Sequence, residues 1–523
     1  MKPVRPRPGT LRTATVLAAL LALTIGLVQG QVNRATLVTP QEPGTLLPHF
    51  DLLTLTHETQ HLIFDCLLTI DEGGNYEPQL ALEVPTLENG GISPDATTYT
   101  FHLRDDVTWH DGEPFTAADV AFTWEVITDP DLPVPSRAVW EDIERIETPD
   151  PHTAVIHFAE TNVNLLAAAA TDSCFMLPRH LLEGEDIVDS PLNREPIGTG
   201  PFEVTQWASG AFIELTANAN YWQDGLPHLG EIILRIVPGS EGQRAAMQRG
   251  EADLMLHMTS ADLRFVETLP AYEVVTGPTH AWWLFWINNE DPILQDVRVR
   301  QALAHAVDKE TITETVMAGI VEPLDAALPP SHWAHNPDVP SYSFDPERAA
   351  ELLEEAGWTL DGGGIRTRNG EALQIDILNI AGQVERRQVI QIVQDYWSEI
   401  GVDARIREID GPSFPPTMGE GDFQIAYGWF SETQEPVFNL WLGTNWQRYG
   451  NEEALELLRR VPTVVEVDER AELIHRFQEL VAEDAAILPL APRPILNAVH
   501  ERLEGYLPSL TGSLWNAQEW RIR

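Results

Sequence analysis

His57-Glu-Thr-Gln-His61 has the spacing of a zinc-hydrolase motif. On a helix, histidines at i and i+4 share a face and can both ligate a metal, leaving Glu58 as a general base toward metal-bound water. Leu52, Leu53, Leu55, Leu62 and Ile63 favour a helix here. The motif needs a third ligand. Phe64 and Leu67 stand where the extended motif has glycine and histidine, which leaves a lone carboxylate such as Glu77. Cys66 and Cys174 are the other reactive pair, and two buried thiols or one disulfide both fit. The chain has no G-x-S-x-G elbow, C-x-x-C pair or phosphate-binding glycine loop. Metal-assisted hydrolysis through His57, Glu58 and His61 is therefore the enzymatic alternative.

The rest of the chain sets a different frame. With 523 residues it needs at least two lobes, since a single hydrophobic core stops growing well below that length. The formal charge of −47 excludes nucleic acid as a partner, because phosphate binding needs a basic face. Lys2, Arg5, Arg7 and Arg12 precede an apolar run from Ala14 to Val28 that ends in Gln29-Gly30. That is the layout of a cleaved secretory signal over 1–30, and the run is short for a membrane span. No cysteine lies near the cleavage point, so a lipoprotein is not expected. The mature chain is expected outside the cytoplasm, periplasmic or extracellular.

Strands and helices alternate. Tyr99, Phe101 and Leu103 alternate with polar residues as in a half-buried strand, and Thr116 with Asp119 forms a capping box for a helix carrying Val120, Trp124 and Ile127. Asp296 caps a helix with Val299, Ala302, Leu303 and Ala306 at helical spacing. Asp345-Pro346 opens another, stopped by Gly357, and a third, burying Val389, Ile392, Val393, Tyr396, Trp397 and Ile400, stops at Gly401. A strand is predicted over Val402 to Ile409. The pattern is α/β.

Ordered motifs then run along most of the chain: Tyr99-Thr-Phe-His-Leu-Arg104, Trp109-His-Asp-Gly112, Phe115-Thr-Ala-Ala-Asp-Val120, Ile197-Gly-Thr-Gly-Pro-Phe202, Asn220-Tyr-Trp222 and Gly250-Glu-Ala-Asp253. They continue with Asp296-Val-Arg-Val-Arg-Gln-Ala302, Ala306-Val-Asp308, Phe344-Asp-Pro-Glu-Arg-Ala349, Leu352-Leu-Glu-Glu-Ala-Gly357 and Ile487-Leu-Pro-Leu490. In this order they resemble the extracellular solute-binding proteins of family 5, the dipeptide-, oligopeptide- and nickel-binding group of ABC importers. The resemblance implies a two-lobed periplasmic-binding-protein clamshell of class II, large cluster C type, with an extra N-terminal subdomain and hinge strands. Lobe I is expected over 31–276 plus 485–523, with the subdomain inserted at about 49–196, and lobe II over 277–484. It further implies a monomer without cofactor or catalysis, delivering its ligand to a membrane permease.

In the peptide-binding members a carboxylate anchors the ligand's α-amino group, three residues after a tryptophan and four before a proline. Trp429-Phe-Ser-Glu-Thr-Gln-Glu-Pro436 puts Glu432 there, where those members usually carry aspartate. Trp429, Phe430, Trp283 and Trp446 are the accompanying candidates, supplying aromatic walls. Trp282 and Trp286 share one strand face, and Trp283 and Phe285 the other. A di- or oligopeptide is the expected ligand. An oligosaccharide stacked on these rings is the alternative within the family, and nickel or haem cargo stays open.

Overall fold

The computed structural model describes residues 33–523 except 52, 138, 172, 173, 361 and 437, so the expected signal peptide at 1–30 lies outside the described residues. Strand Ala281–Ile287 reads AWWLFWI, apolar at every position, and a strand of that kind must be covered on both faces. It lies inside a five-stranded sheet, in the order Asp403–Ile409, Gln374–Ile380, Ile425–Ser431, Ala281–Ile287, Ile487–Pro492. Helices Val297–His305, Pro346–Glu355 and Val384–Glu399 cover the face bearing Phe285 and Ile287. Helices Phe414–Glu420, Glu452–Arg460 and Val467–Glu483 cover the face bearing Trp282, Leu284 and Trp286. Each such side chain, fully buried, stabilises the lobe by about 1.5–3 kcal/mol. The division of the tryptophans between two faces follows the strand alternation read from the sequence.

A seven-stranded sheet forms the other lobe, in the order Tyr272–Gly277, Ile495–His500, Leu254–Met255, Arg34–Thr39, Glu231–Ile236, Phe212–Ala217, Phe202–Ala208. Strands from both ends of the described chain thus meet in one sheet. The inserted segment adds a sheet of Thr98–His102, Thr153–Phe158 and Ile143–Asp150. Its Phe101 and Ile156 belong to the same hydrophobic cluster as Leu37 and Leu234 of the seven-stranded sheet, so the subdomain shares the lobe's core.

The lobes are joined by two short crossings. Gly277 leads to Ala281 through Pro278-Thr279-His280, and Pro492 leads to Ile495 through Arg493-Pro494. The second crossing falls later than the expected 484/485 boundary, because Ile487–Pro492 pairs with Ala281–Ile287 inside the five-stranded sheet. Its uniformly buried run carries no periodicity to tell which lobe it joins.

Local signals did their expected jobs. Asp119 Oδ2 accepts the Thr116 backbone N–H at 2.8 Å and closes the capping box, while Asp345 accepts from Arg348 N at 2.9 Å. The Gly-Thr-Gly-Pro motif has a steric cause: a Cβ at Gly198 would overlap the Ile63 carbonyl oxygen, and Gly200 N–H donates to that same oxygen at 2.8 Å. Cys66 and Cys174 stand as two buried thiols and not as a disulfide, with Cys66 Sγ on the Thr171 carbonyl at 3.1 Å.

Candidate functional site

The edge of the five-stranded sheet that faces the crossings carries the expected ligand residues. Trp283 and Trp429 lie opposite each other in the antiparallel pair Ala281–Ile287 with Ile425–Ser431. Trp283 stacks on Tyr427, centroids 5.6 Å apart at 19°. Trp429 keeps 42% of its surface exposed, a large share for an indole beside the junction of two lobes. The guanidinium of Arg493, on the return crossing, lies 4.4 Å from the Trp429 ring and 5.7 Å from that of Trp283.

Phe430 and Trp446 are not brought to this wall. Phe430 points to the opposite sheet face, edge-on to Trp282 at 5.7 Å. Trp446 packs 5.7 Å from Trp286 and 6.3 Å from Phe414 in the layer behind the sheet. The spacing that marked them reflects packing: aromatic side chains close in sequence to a cleft also fill the core beneath it.

Glu432 follows the last residue of its strand and is buried at 6% exposure. Its N–H extends the ladder to the His280 carbonyl at 3.3 Å, and Oε2 accepts the Phe438 N–H at 3.3 Å. Two histidines flank this loop. Burial pushes His280 down to about 4 and His332 to about 3, so both are neutral imidazoles at pH 7. They touch at 4.7 Å, and the His332 Nε2–H donates to the Thr433 carbonyl at 3.2 Å.

The metal-like motif has another role. Helix Thr54–Gln60 ends one residue before His61, whose ring meets Phe175 edge-on at 4.9 Å. The His57 Nε2–H donates to the Asp51 carbonyl at 2.8 Å. Glu58, 3% exposed, forms an ion pair with His257 at 2.8 Å and accepts the Ser513 N–H at 3.2 Å. The three side chains thus make three separate contacts, and the carboxylate is committed to a cation just past strand Leu254–Met255. Among the described residues no group of three His, Cys, Asp or Glu is placed to hold a metal. The hydrolase alternative loses its geometric basis.

His257 itself was not legible as a site residue. It adopts a left-handed backbone at φ +55°, its N–H is held by Asn497 Oδ1 at 3.0 Å, and its side chain is 26% exposed. Strain of that kind in a non-glycine residue clusters at functional positions. Burial works against its charge, but the Glu58 carboxylate outweighs it and raises its pKa.

The lobes touch on both flanks of the crossings, which is a closed clamshell. On one flank Glu385, from the first turn of Val384–Glu399, accepts the Ala261 N–H of lobe I at 3.3 Å. On the other, Gln434 Nε2 donates to the Gly74 carbonyl in the subdomain hairpin at 3.0 Å. Beside it, burial pushes the Glu435 carboxyl up to about 7 against the opposing pull of Arg470, its partner at 3.3 Å. Tyr76 of the hairpin is within electrostatic range of that pair.

Comparison with known proteins agrees with this architecture. The oligopeptide-binding protein AppA of Bacillus subtilis is 25% identical over 479 residues, covering 88% of this chain and 87% of the relative. Heme-binding protein A of Haemophilus influenzae is 28% identical over 483 residues, 86% of this chain and 85% of its own length. The crystal structure of NikA from Brucella suis in complex with Fe(III)-EDTA superposes with a TM-score of 0.85 at 22% identity, covering 94% of this chain and all of the other. The model of the bacterial extracellular solute-binding proteins, family 5 (Middle), matches residues 75–451, and the chain belongs to that family.

Proposed function

We propose that this chain is exported and captures a peptide between its lobes, then presents the closed complex to the permease of an ABC importer. One observation carries the reading beyond the family: the closed junction gathers an aromatic wall, a carboxylate at the anchor position and an arginine at the hinge, from residues far apart in sequence. Such an arrangement suits a zwitterionic, extended ligand held by its ends. The relative named for oligopeptides, which covers 88% of this chain, supports a peptide. The basic start and apolar run ahead of residue 30 support export. The work is capture and hinge closure with no chemical turnover, and the protein acts as a monomer.

Native mass spectrometry of protein purified from its host tests the ligand class. Bound masses that fragment as peptides are the expected result. A carbohydrate mass, which the exposed Trp429 face would also accommodate, or a haem mass replaces the peptide assignment. Amino-terminal sequencing of the exported protein tests processing: a start at Gln31 is expected.

A further inference from the structure

Resting on the peptide-capture reading, we propose that Arg493 is the ligand's carboxylate receptor, gripping that group at the hinge between the indoles of Trp283 and Trp429.

The argument begins with unmet hydrogen bonding. A guanidinium offers five N–H donors and is costly to place inside a protein unless they are used. Three buried arginines of this chain direct most of theirs to protein acceptors. Arg300 donates to the carbonyls of Leu294 and Asp484 at 2.8 and 2.9 Å. Arg366 donates to those of Ile400 and Trp358 at 2.8 and 2.9 Å, and Arg470 donates to Val465 O at 2.9 Å while pairing with Glu435. Arg493 is half-buried at the lobe junction, where desolvation lowers its pKa against the opposing field of Glu385. Yet its guanidinium has no hydrogen-bond acceptor and no ion pair among the described residues. In a chain with 80 acidic residues against 33 Lys and Arg, a half-buried arginine with neither a carboxylate nor a carbonyl acceptor stands apart from these three.

Position gives the exception a use. The Arg493 backbone N–H donates to the Ala281 carbonyl at 2.8 Å, tying one crossing to the other and fixing the side chain at the pivot. The rings of Trp429 and Trp283 hold the guanidinium's face at 4.4 and 5.7 Å. That contact occupies its π surface and leaves its N–H edges for a planar, bidentate acceptor. The acceptor that matches is a carboxylate. Glu385 feels the guanidinium's charge but forms no ion pair with it among the described residues, and one of its oxygens accepts the Ala261 N–H across the lobe junction. From lobe I a second cationic group, His257, lies within electrostatic range of Arg493. An anion at the pivot is therefore favoured from both lobes.

The test uses the whole mature protein and three mixtures of tri- to pentapeptides. One has free C-termini and no Asp or Glu. The second has the same sequences amidated. The third is amidated but contains Asp and Glu. Retained peptides are read by native mass spectrometry and affinities by intrinsic tryptophan fluorescence. Wild-type protein is expected to prefer the free acids over the amides by about 30-fold, the scale of a charge-assisted pair. Arg493→Gln is expected to bring the two within about threefold, and Arg493→Lys to fall between. Rescue by the third mixture identifies a side-chain carboxylate as the source; no rescue identifies the C-terminus. Equal retention of acids and amides by the wild type overturns the inference and leaves peptide capture standing, and it needs no variant to fold. An undiminished preference in folded Arg493→Gln also overturns it. Retention of none of the three mixtures removes the peptide reading, and the inference with it.

Discussion

Replacing Glu58 by glutamine separates two accounts of the His57–His61 segment. As a zinc hydrolase's general base, Glu58 would matter to activity and little to stability. As the buried partner of His257, it should matter to stability. The carboxylate is 3% exposed and the imidazole 26%, with 2.8 Å between them. Glutamine keeps an acceptor for the Ser513 N–H but leaves the imidazolium without its counter-charge. Breaking a buried pair from one side costs about 3–5 kcal/mol, and the partial exposure of His257 argues for the lower end, about 3 kcal/mol. At roughly 2 °C per kcal/mol for a large domain, the melting temperature should fall by about 6 °C.

The pH profile sharpens that test. His257 is raised above its ordinary 6.5, so its share of the stabilisation is complete below 6.5 and is lost as pH rises through the folded value. Glu58 is buried, yet the His257 charge and the hydrogen bonds from His257 and Ser513 hold it below its ordinary 4.5. Its share is present above 4.5 and is lost as pH falls through the folded value. The gap between wild type and Glu58→Gln should be widest between about pH 4.5 and 6.5 and should shrink toward pH 9 and pH 3. Differential scanning calorimetry across that range measures it. A gap under about 2 °C at pH 5.5 would refute the ion-pair argument.

Four further outcomes are expected. Glu432→Gln should weaken peptides with a free amino terminus by about tenfold or more and leave N-acetylated ones unchanged in calorimetric titration, if the carboxylate is the ammonium anchor. Trp429→Ala should lower ligand affinity at unchanged melting temperature, whereas Trp446→Ala, behind the sheet against Trp286, should cost about 3 kcal/mol in urea unfolding. Gly198→Ala should destabilise by about 1–3 kcal/mol, since its methyl meets the Ile63 carbonyl, and denaturant unfolding reads this directly. Ligand affinity should fall as pH rises from about 4.5 through about 7, because closure buries Glu435 and favours its protonated form, and Glu435→Gln should flatten that slope in titrations between pH 5 and 8.

The division between what the sequence disclosed and what it hid follows the range of the interactions involved. Capping boxes, glycine stops and the two-faced strand Ala281–Ile287 depend on neighbours within a few positions, so residue types at fixed spacing reveal them. The resemblance to a known family supplied the lobes and Glu432. Spacing alone offered Glu58 as a catalytic base in the alternative reading, because its real partners, His257 and Ser513, are 199 and 455 positions away. It also grouped Trp446 with Trp429, though a turn past the strand carries Trp446 behind the sheet.

Arg493 was hidden for a related reason. It lies between two prolines in a segment with no periodicity, and its meaning depends on which sheet each flanking strand joins. Ile487–Pro492 belongs to one lobe and Ile495–His500 to the other, which makes Arg493 a pivot residue. In a clamshell, the residues at the pivot move least as the lobes close, so a charge held there meets the ligand in the open and closed forms alike. The flanking contacts, Glu385 with Ala261 and Gln434 with Gly74, exist only when the lobes meet. Capture would then begin at Arg493 and finish at the flanks. On this reasoning, Gln434→Ala should raise the ligand's dissociation rate about fivefold, the scale of one lost hydrogen bond, and leave its association rate unchanged. Arg493→Gln should slow association as well, and stopped-flow fluorescence from the two tryptophans separates the two effects. Equal changes in association rate for both variants would show that the pivot holds no priority over the flanks.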